Sequence, residues 1–285
     1  MGQLNGLRGE RETFFMPEIN DQYNEKIVAF LDIFGFRTLV HQSRSDAIKL
    51  IKEIDASISR VVDAVKNETE GAVSVKLFSD CFCLSCDDSD LDQMVRELCF
   101  LQLFLATDGI FVKGGLSKGN HFENDRIIFS EGLVKAYELQ EHERFPRVLV
   151  EDCIATAMKT ESHRHYGDAL ADYLAVAPDG KYFLDYLQSL REGELSGEWD
   201  DLIESHKQAI VKQVRDNVDN YKVVEKYRWL AEYHNDKFSQ FYNLSDYYED
   251  YQPELLSKMF ISPDIFPPFR IGSLGFSKIQ PQDEE

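Results

Sequence analysis

Two stretches decide the fold: residues 26–37, KIVAFLDIFGFR, and residues 73–86, VSVKLFSDCFCLSC. The first is a short apolar run that ends at Asp32 and runs into a turn, which is typical of a buried strand. The second consists of two strand-like halves separated only by Ser79 and Asp80, which predicts a hairpin. The sequence therefore predicts a sheet in which these three strands take part.

The segments around these strands extend the pattern. Apolar residues recur at helical spacing from Ser45 to Lys66, and a second helix follows the hairpin. The strand-like run that contains KGGLSKG, residues 113–119, comes next, and it is followed by a helix over 131–140 and a strand at 147–150. This order is the ferredoxin-like split βαβ plan with additions. We expect an α+β protein, with an antiparallel sheet and helices on one face.

After about residue 195 the strand-like segments give way to helical ones. Residues 198–218 and 221–238 are predicted amphipathic helices, and the chain then ends in an irregular polar tail. We therefore divide the chain into an N-terminal segment (1–25), a sheet domain (26–195) and a helical C-terminal extension (196–285).

Charge and hydropathy exclude several classes of function. The chain of 285 residues has a formal net charge of −20 and no strong basic patch, so we expect no nucleic-acid partner. No run approaches the roughly 18 apolar residues that span a bilayer, and the first 25 residues lack a signal-peptide core. We expect a cytoplasmic protein that makes no direct membrane contact.

Three of the five cysteines, Cys81, Cys83 and Cys86, lie close together in DCFCLSC. The alternation of that segment places Cys81 and Cys83 on one strand face and Cys86 on the other. No second CxxC pair and no CxxC-plus-His spacing accompanies them, so we interpret them as strand residues rather than as zinc ligands.

The chemistry of the sequence is concentrated at Asp32 and Asp80. Asp32 ends the first strand, Asp80 is at the hairpin tip, and in the βαββαβ plan these strands are neighbours. Both carboxylates should then lie at one end of the sheet, beside the backbone amides of Ile33 to Arg37. Two such carboxylates can hold two divalent cations together with the phosphates of a triphosphate. Ions held there can activate an attacking hydroxyl and neutralise a leaving diphosphate.

Four further residues are candidates for nucleotide binding. Lys113 precedes two glycines, where a backbone can approach a ligand closely, and it is a candidate for phosphate contact. Arg37 lies in the turn after the first strand, and the backbone amide of Phe36 can cradle phosphate. Lys76 is a candidate for contact with the base or a phosphate, and the alternative interpretation is that it is a solvent-exposed strand residue without a ligand.

At these positions the sequence resembles the class III nucleotide cyclases. FLDIFGFRTL resembles the first-strand motif of that family, and KLFSDCFCL resembles its Lys-x-x-Gly-Asp hairpin, with Ser79 replacing the Gly. KGGLSKG resembles the Arg-x-Gly-(x)₃-Gly strand, with Lys113 in place of the Arg. The resemblance covers roughly residues 26–150 and would make 26–195 the catalytic domain, with a class III cyclase fold.

The resemblance implies a metal site, and the sequence also departs from the family pattern at several positions. Asp32, Asp80 and the carbonyl of Ile33 would hold two Mn²⁺ or Mg²⁺ ions. The helix that carries an Asn and an Arg in adenylyl cyclases reads GLVKAYEL here, which puts Val134 and Glu138 at those positions. Lys76 matches a base-reading Lys, whereas Ile127 aligns with the second base-reading acid, so we expect Lys76 to lack an acidic companion.

This combination is similar to the pyrimidine cyclases of bacterial Pycsar anti-phage systems. The resemblance implies a homodimer, a phosphorus-oxygen lyase that converts UTP to 3′,5′-cyclic UMP and diphosphate, and a separate effector protein that senses the cyclic nucleotide. Two alternatives stay open: a cytidylate cyclase that makes cyclic CMP, and a catalytically degenerate regulatory dimer that binds nucleotide without turnover.

Overall fold

The computed structural model describes residues 23–36, 48–49, 51–52, 55–60, 62–63, 72–160, 164–165, 168–191, 199–244 and 259–267. Of the helix predicted from Ser45 to Lys66, residues 55–60 are helical, and much of the remainder falls outside the described residues. Residues 1–22 of the predicted N-terminal segment (1–25) and the domain boundary at residue 196 also fall outside them, whereas Asn24 and Glu25 begin the first strand. In the described part of the chain no helix combines the length and apolarity needed to cross a membrane.

The strands in the described part of the chain are β1 (Asn24–Ile33), β2 (Ser74–Phe78), β3 (Cys81–Cys86), β4 (Val112–Glu123), β5 (Ile128–Ser130), β6 (Val148–Val150), β7 (Arg164–His165), β8 (Asp168–Ala169), β9 (Leu174–Val176) and β10 (Tyr182–Leu184). Eight of them form the main sheet, and seven of these run in the order β2-β3-β1-β4-β6-β10-β9, with β5 paired to the end of β4. A separate two-stranded sheet pairs β7 with β8.

Apart from the partly described helical residues before β2, five α-helices of nine residues or more lie in the described part of the chain. They are α1 (Leu91–Thr107), α2 (Glu131–Glu141), α3 (Asp152–Thr160), α4 (Trp199–Asp216) and α5 (Tyr221–Leu244). The predicted α+β class, the ferredoxin-like element order and the helical C-terminal extension are therefore confirmed.

The central strand β1 is buried on both faces. Ile27, Ala29 and Leu31 belong to the main hydrophobic core, to which α1 contributes one side. The alternate residues Val28 and Phe30 point to the other face, since side chains alternate along a strand. This double burial explains why residues 27–31 form a continuous apolar run rather than an alternating one.

Two details differ from the sequence prediction. The sheet is mixed rather than antiparallel, because β4 and β6 pair in parallel while β1 pairs antiparallel with both β3 and β4. Helices also cover both faces rather than one. Helix α2 crosses the face that carries Val28, so closely that a Cβ on Gly115 would lie 2.2 Å from the carbonyl oxygen of Ala136. A crossover connection and a close helix–sheet contact depend on the path of the chain in space, which local periodicity does not report.

The C-terminal helices pack onto the sheet domain through aromatic and histidine side chains. Phe111, beside β4, contacts the rings of His206 on α4 and Tyr227 on α5. His206 and His234 are fully buried and stacked, with their Nδ1 atoms 2.9 Å apart. One continuous core therefore joins the sheet to α4 and α5.

The two histidines form a hydrogen-bond chain with a single direction. The carbonyl of Met259 can only accept, so His234 donates to it from Nε2 at 3.0 Å. The Nδ1 of neutral His234 must then accept from His206 Nδ1. His206 Nε2 in turn accepts from the Tyr186 hydroxyl at 2.7 Å. With both imidazoles neutral, this arrangement gives each of the four ring nitrogens a partner.

Candidate active site

Asp32 and Asp80 lie together at one end of the sheet. Asp32 is the penultimate residue of β1 and is in register with Cys81 on one side and Lys113 on the other. The amide N–H of Ile33 donates to the carbonyl oxygen of Asp80 at 3.0 Å, which fastens the hairpin tip to the end of β1. Ligand atoms of Asp32, Asp80 and Cys81 all lie within 4.8 Å of one another.

The hairpin that presents Asp80 has an unusual residue at its tip. Ser79 adopts a φ of 58°, the left-handed region that glycine enters at little cost. This is the position at which the resembled family has Gly. Ser79 therefore holds a backbone conformation that suits glycine.

Burial and two neighbouring charged groups set the electrostatics of Asp32. Partial burial raises the pKa of the Asp32 carboxyl above its ordinary value, while the Lys113 ammonium lowers it and the neighbouring Asp80 carboxylate raises it again. The Nζ atom of Lys113 lies 3.6 Å from Asp32 Oδ2, and both side chains are mostly buried. A carboxylate held against a second acid in a partly desolvated place favours a bound cation.

The donor set fits a hard divalent cation. Mg²⁺ and Mn²⁺ prefer oxygen ligands and are commonly held by one or two carboxylates together with substrate phosphates. The Cys81 thiol is a weak competitor, because burial and the charges of Asp80 and Asp32 raise its pKa to about 12. Asp32 and Asp80 are therefore the residues of this cluster that could hold the metal, and Ile33 lies beside them with its side chain buried.

The other predicted site residues are distributed around this end of the sheet. Lys113 contacts Asp32 directly, and Phe36 is half-buried and packs against the main core. Arg37 lies outside the described residues. Lys76, on β2, is in register with Cys83 and is therefore three residues along its strand from the turn that holds Asp80.

Lys76 has an acidic neighbour, contrary to the sequence prediction. Its Nζ atom lies 4.0 Å from Oδ1 of Asp125, in the loop between β4 and β5. Ile127, which aligns with the base-reading acid, is instead exposed to solvent. The alignment places the acid by its position in the sequence, whereas the loop brings a residue two positions earlier to Lys76. The expected lack of a companion for Lys76 is wrong.

Helix α2 presents no substitute for the missing Asn and Arg. Val134 and Glu138 are both exposed on its outer face, beside the exposed ring of Tyr137. The ring of Tyr137 also contacts Phe30 of β1 edge to face, with centroids 5.5 Å apart.

Three residues near the site are not among the functional candidates that the sequence predicts: Cys81, Asp125 and Lys226. The strand pattern accounts for Cys81 only as a strand residue, although its neighbour Asp80 is a signal that could have marked it. Asp125 lies in a polar loop without a motif. Lys226 lies on α5, about 190 residues after Asp32, and its Nζ atom is 4.6 Å from the centroid of the Phe34 ring. No local signal in the sequence marks Lys226.

Solved cyclase structures resemble part of this chain. The guanylyl cyclase Cya2 has 11% sequence identity, with 57% of this chain and 92% of that chain covered at a TM-score of 0.37. A bacterial light-regulated adenylyl cyclase has 14% identity, covering 62% and 99% at a TM-score of 0.36. The catalytic core of a rhodopsin-guanylyl cyclase with converted specificity, in complex with ATPalphaS, has 15% identity, covering 57% and 96% at a TM-score of 0.39. No protein-family model and no curated protein matches the sequence. These structural similarities are too weak to assign a function, which we infer instead from the residues of this chain.

Proposed function

We propose that this protein is a nucleotide cyclase, a phosphorus-oxygen lyase that converts a nucleoside triphosphate to its 3′,5′-cyclic monophosphate and diphosphate. One observation carries the proposal: the ligand atoms of Asp32 and Asp80 lie within 4.8 Å of each other at the end of the sheet, with the Lys113 ammonium beside them. Two acids and a cation in one place fit a metal–triphosphate complex better than they fit a purely structural cluster.

The reaction forms one bond and breaks one. The ribose 3′-oxygen bonds to the α-phosphorus, the bond from that phosphorus to the bridging oxygen of the β-phosphate breaks, and the hydroxyl proton passes to solvent. Asp32 and Asp80, with the carbonyl of Ile33, would hold two Mn²⁺ or Mg²⁺ ions. When bound, such ions supply Lewis acidity at the hydroxyl and at the phosphates. Asp32 and Asp80 thereby orient the reacting groups.

Lys113 has two roles in this proposal. Without a ligand its ammonium partly neutralises Asp32 across 3.6 Å. With the triphosphate in place it is free to donate to a phosphate oxygen, a charge-assisted contact. The amide of Phe36 and the guanidinium of Arg37 are proposed to contact the phosphates from the turn after β1.

The base is proposed to be read by Lys76, with Asp125 as its acidic companion. A donor next to an acceptor complements the O4 and N3–H of uracil, but it also complements N3 and the amino group of cytosine, as well as the edges of purines. We propose UTP as the substrate, on the resemblance to the pyrimidine cyclases. Cyclic CMP synthesis is the alternative within the same chemistry.

The protein is proposed to act as a homodimer. Large apolar side chains are exposed on β2 and on α2. Phe78 and Tyr137 both contact the ring of Phe30, and Val134 lies one helical turn before Tyr137; we call Phe78, Val134 and Tyr137 the apolar face. A surface this apolar in a chain of net charge −20 favours burial against a second protein surface. A second copy supplies the same face, as a two-fold dimer requires.

The product is proposed to be a second messenger in anti-phage defence, sensed by a separate effector protein. This part of the proposal comes from the Pycsar resemblance alone.

Incubation with each of the four nucleoside triphosphates and Mn²⁺, followed by chromatography, tests the proposal. The expected product is cyclic UMP together with diphosphate. A profile dominated by cyclic CMP would overturn the choice of base alone, and cyclic AMP or cyclic GMP would overturn the pyrimidine assignment. The absence of any cyclic product, with an intact dimer, would overturn the cyclase.

One observation favours a second candidate, a regulatory dimer that binds nucleotide without turnover. The exposed face of α2 carries Val134 and Glu138, neither of which can steady a transition state as an Asn and an Arg do. This candidate predicts calorimetric binding of UTP with Mg²⁺, a stoichiometry of one per site, and no diphosphate release. Diphosphate release that depends on Asp32 would exclude it.

A further inference from the structure

The C-terminal helix α5 reaches the end of β1 that carries Asp32. Phe34 follows Asp32 by two residues, and its amide N–H donates to the carbonyl of Phe111 at 2.8 Å. The Tyr227 ring packs against Phe34 with centroids 6.1 Å apart, and against Phe111 at 5.6 Å. The preceding residue, Lys226, lays its ammonium over the Phe34 ring, 4.6 Å from the centroid. The helix is therefore fastened to the turn whose backbone amides are candidates for phosphate binding.

Three cations lie around the junction of α5 with this turn. Lys226 lies over Phe34, and Lys113 pairs with Asp32, two residues before Phe34. Arg144 precedes Phe145, whose ring stacks on Trp229 of α5 with centroids 5.4 Å apart. Burial lowers the pKa of Lys226, and the positive charges of Lys113 and of Arg144 lower it further. Lys113 has Asp32 as its counter-charge. Within the described part of the chain, no carboxylate forms an ion pair with the side chain of Lys226 or of Arg144, although acids outnumber bases by 51 to 31.

This gathering of like charges is costly for the free protein. A partly desolvated ammonium beside two other cations destabilises its own charged form. A bound anion removes the cost, because it screens the cations from one another and makes charge-assisted hydrogen bonds to each. An anion with several charges spread over a few ångströms matches three separate cations better than a single carboxylate does.

We propose that Lys226 and Arg144 complete, together with Lys113, a polyphosphate-binding site, so that helix α5 forms part of the active site. The identification of the anion as the triphosphate of a nucleotide rests on the proposed cyclase function. The Lys226 ammonium would then contact the β- and γ-phosphates, where negative charge increases as diphosphate leaves. It would also give the site a cation, which neither Val134 nor Glu138 of helix α2 supplies.

Binding of inorganic tripolyphosphate in the presence of Mg²⁺, measured by titration calorimetry, tests the site without requiring turnover. Lys226→Met keeps the aliphatic stem over Phe34 and removes the charge, and Arg144→Gln removes the second charge from an exposed loop position. Lys212→Gln is the matched control, since Lys212 is exposed on α4 and pairs with Asp216. We expect each of the first two variants to bind tripolyphosphate roughly tenfold more weakly than wild type, with a shallower dependence on salt, and the control to match wild type.

Steady-state kinetics with the nucleoside triphosphate separate this inference from the cyclase proposal. If both hold, Lys226→Met raises KM by roughly tenfold, and the thermal unfolding curve stays that of a folded protein. If the wild type forms no cyclic product, but Lys226→Met and Arg144→Gln bind tripolyphosphate more weakly than the wild type does, the cyclase proposal is refuted and the anion site is supported. If wild type does not bind tripolyphosphate, or if both variants bind it as Lys212→Gln does, the anion site is refuted whatever the activity.

Discussion

Asp32 and Asp80 carry opposite consequences for stability and for activity. Replacing either by Asn removes one charge from a close pair. The metal-free Asp80→Asn protein should therefore unfold at the same temperature as wild type or higher, whereas Asp32→Asn also leaves Lys113 without its counter-charge. The same change removes a metal ligand and should lower turnover with Mn²⁺ and UTP by at least roughly 100-fold, the scale of lost electrostatic stabilisation in active sites. Differential scanning fluorimetry and diphosphate release measure the two effects.

Asp216→Asn provides the control for these variants, because Asp216 is an exposed carboxylate on α4 that pairs only with Lys212 among the ion pairs of the described residues. It should leave both turnover and metal dependence unchanged. Substantial turnover in Asp32→Asn or Asp80→Asn would remove these residues from the metal site.

At the level of single residues, the sequence predicts the acid pair because the evidence for it is local. An apolar run that ends in Asp32 and a two-residue hairpin tip at Asp80 each reveal the position of a carboxylate along its strand. The partners of Lys76 and Phe34 could not be predicted in the same way. Asp125 reaches Lys76 through the bend of a loop, and Lys226 reaches Phe34 through the docking of a helix.

Helix α2 rests on β4 at a point where only glycine fits. A Cβ on Gly115 would lie 2.2 Å from the Ala136 carbonyl oxygen, and that oxygen belongs to helix backbone, which cannot swing aside. Gly115→Ala should therefore destabilise the fold by about 3 kcal/mol, which lowers Tm by roughly 6 °C or more.

Gly180→Ala separates steric overlap from backbone strain in that experiment. Gly180 has a φ of +80°, but a Cβ added there would meet no atom within 4 Å, so its substitution costs only the strain of the left-handed conformation. A Gly115→Ala variant as stable as wild type would show that α2 does not approach β4 this closely.

The elements α4 and α5 are joined by histidines that make the fold sensitive to acid. Burial lowers the pKa of His206 well below its ordinary value, and the neighbouring His234 lowers it further. Burial lowers the pKa of His234 from 6.5 to about 4, against the opposing effect of its hydrogen bond to Met259. Between those two pH values the unfolded chain binds protons that the folded chain does not, so stability falls as the pH falls.

We expect His234 alone to cost roughly 3 kcal/mol of stability between pH 7 and pH 4, with His206 adding to the loss. Urea unfolding across this range measures the slope. In His234→Asn the slope should be smaller, whereas substitution of the exposed His142 by Gln should leave it unchanged. Equal slopes in His234→Asn and wild type would show that the pair does not stay neutral in the fold.

The strand order shows why part of the architecture was predictable and part was not. The neighbours of β1 follow from a hairpin and a helical crossover of ordinary length, and these the sequence indicates. The parallel pairing of β4 with β6 depends on the return of the chain after α2, and a three-residue strand at Val148–Val150 carries no information about direction.

At the scale of the whole molecule, the apolar face determines the expected assembly. Val134→Arg places a charge on this face, where a dimer would have to bury it without a partner. We expect this variant to be monomeric by light scattering at concentrations where wild type is dimeric, and to lose turnover with its thermal stability kept. Val218→Arg, at an exposed valine between α4 and α5, should stay dimeric. A wild-type monomer with full activity would contradict the dimer.

The hydrogen-bond chain from Tyr186 through His206 and His234 to Met259 has one further consequence. The proton between the two Nδ1 atoms is enclosed by α4, α5 and the segment around Met259, and it cannot meet solvent unless these elements separate. It should therefore give a resolved downfield imidazole resonance in the NMR spectrum that exchanges with water slowly. Its exchange rate would report, in a single signal, how often α4, α5 and the segment around Met259 separate, with and without nucleotide.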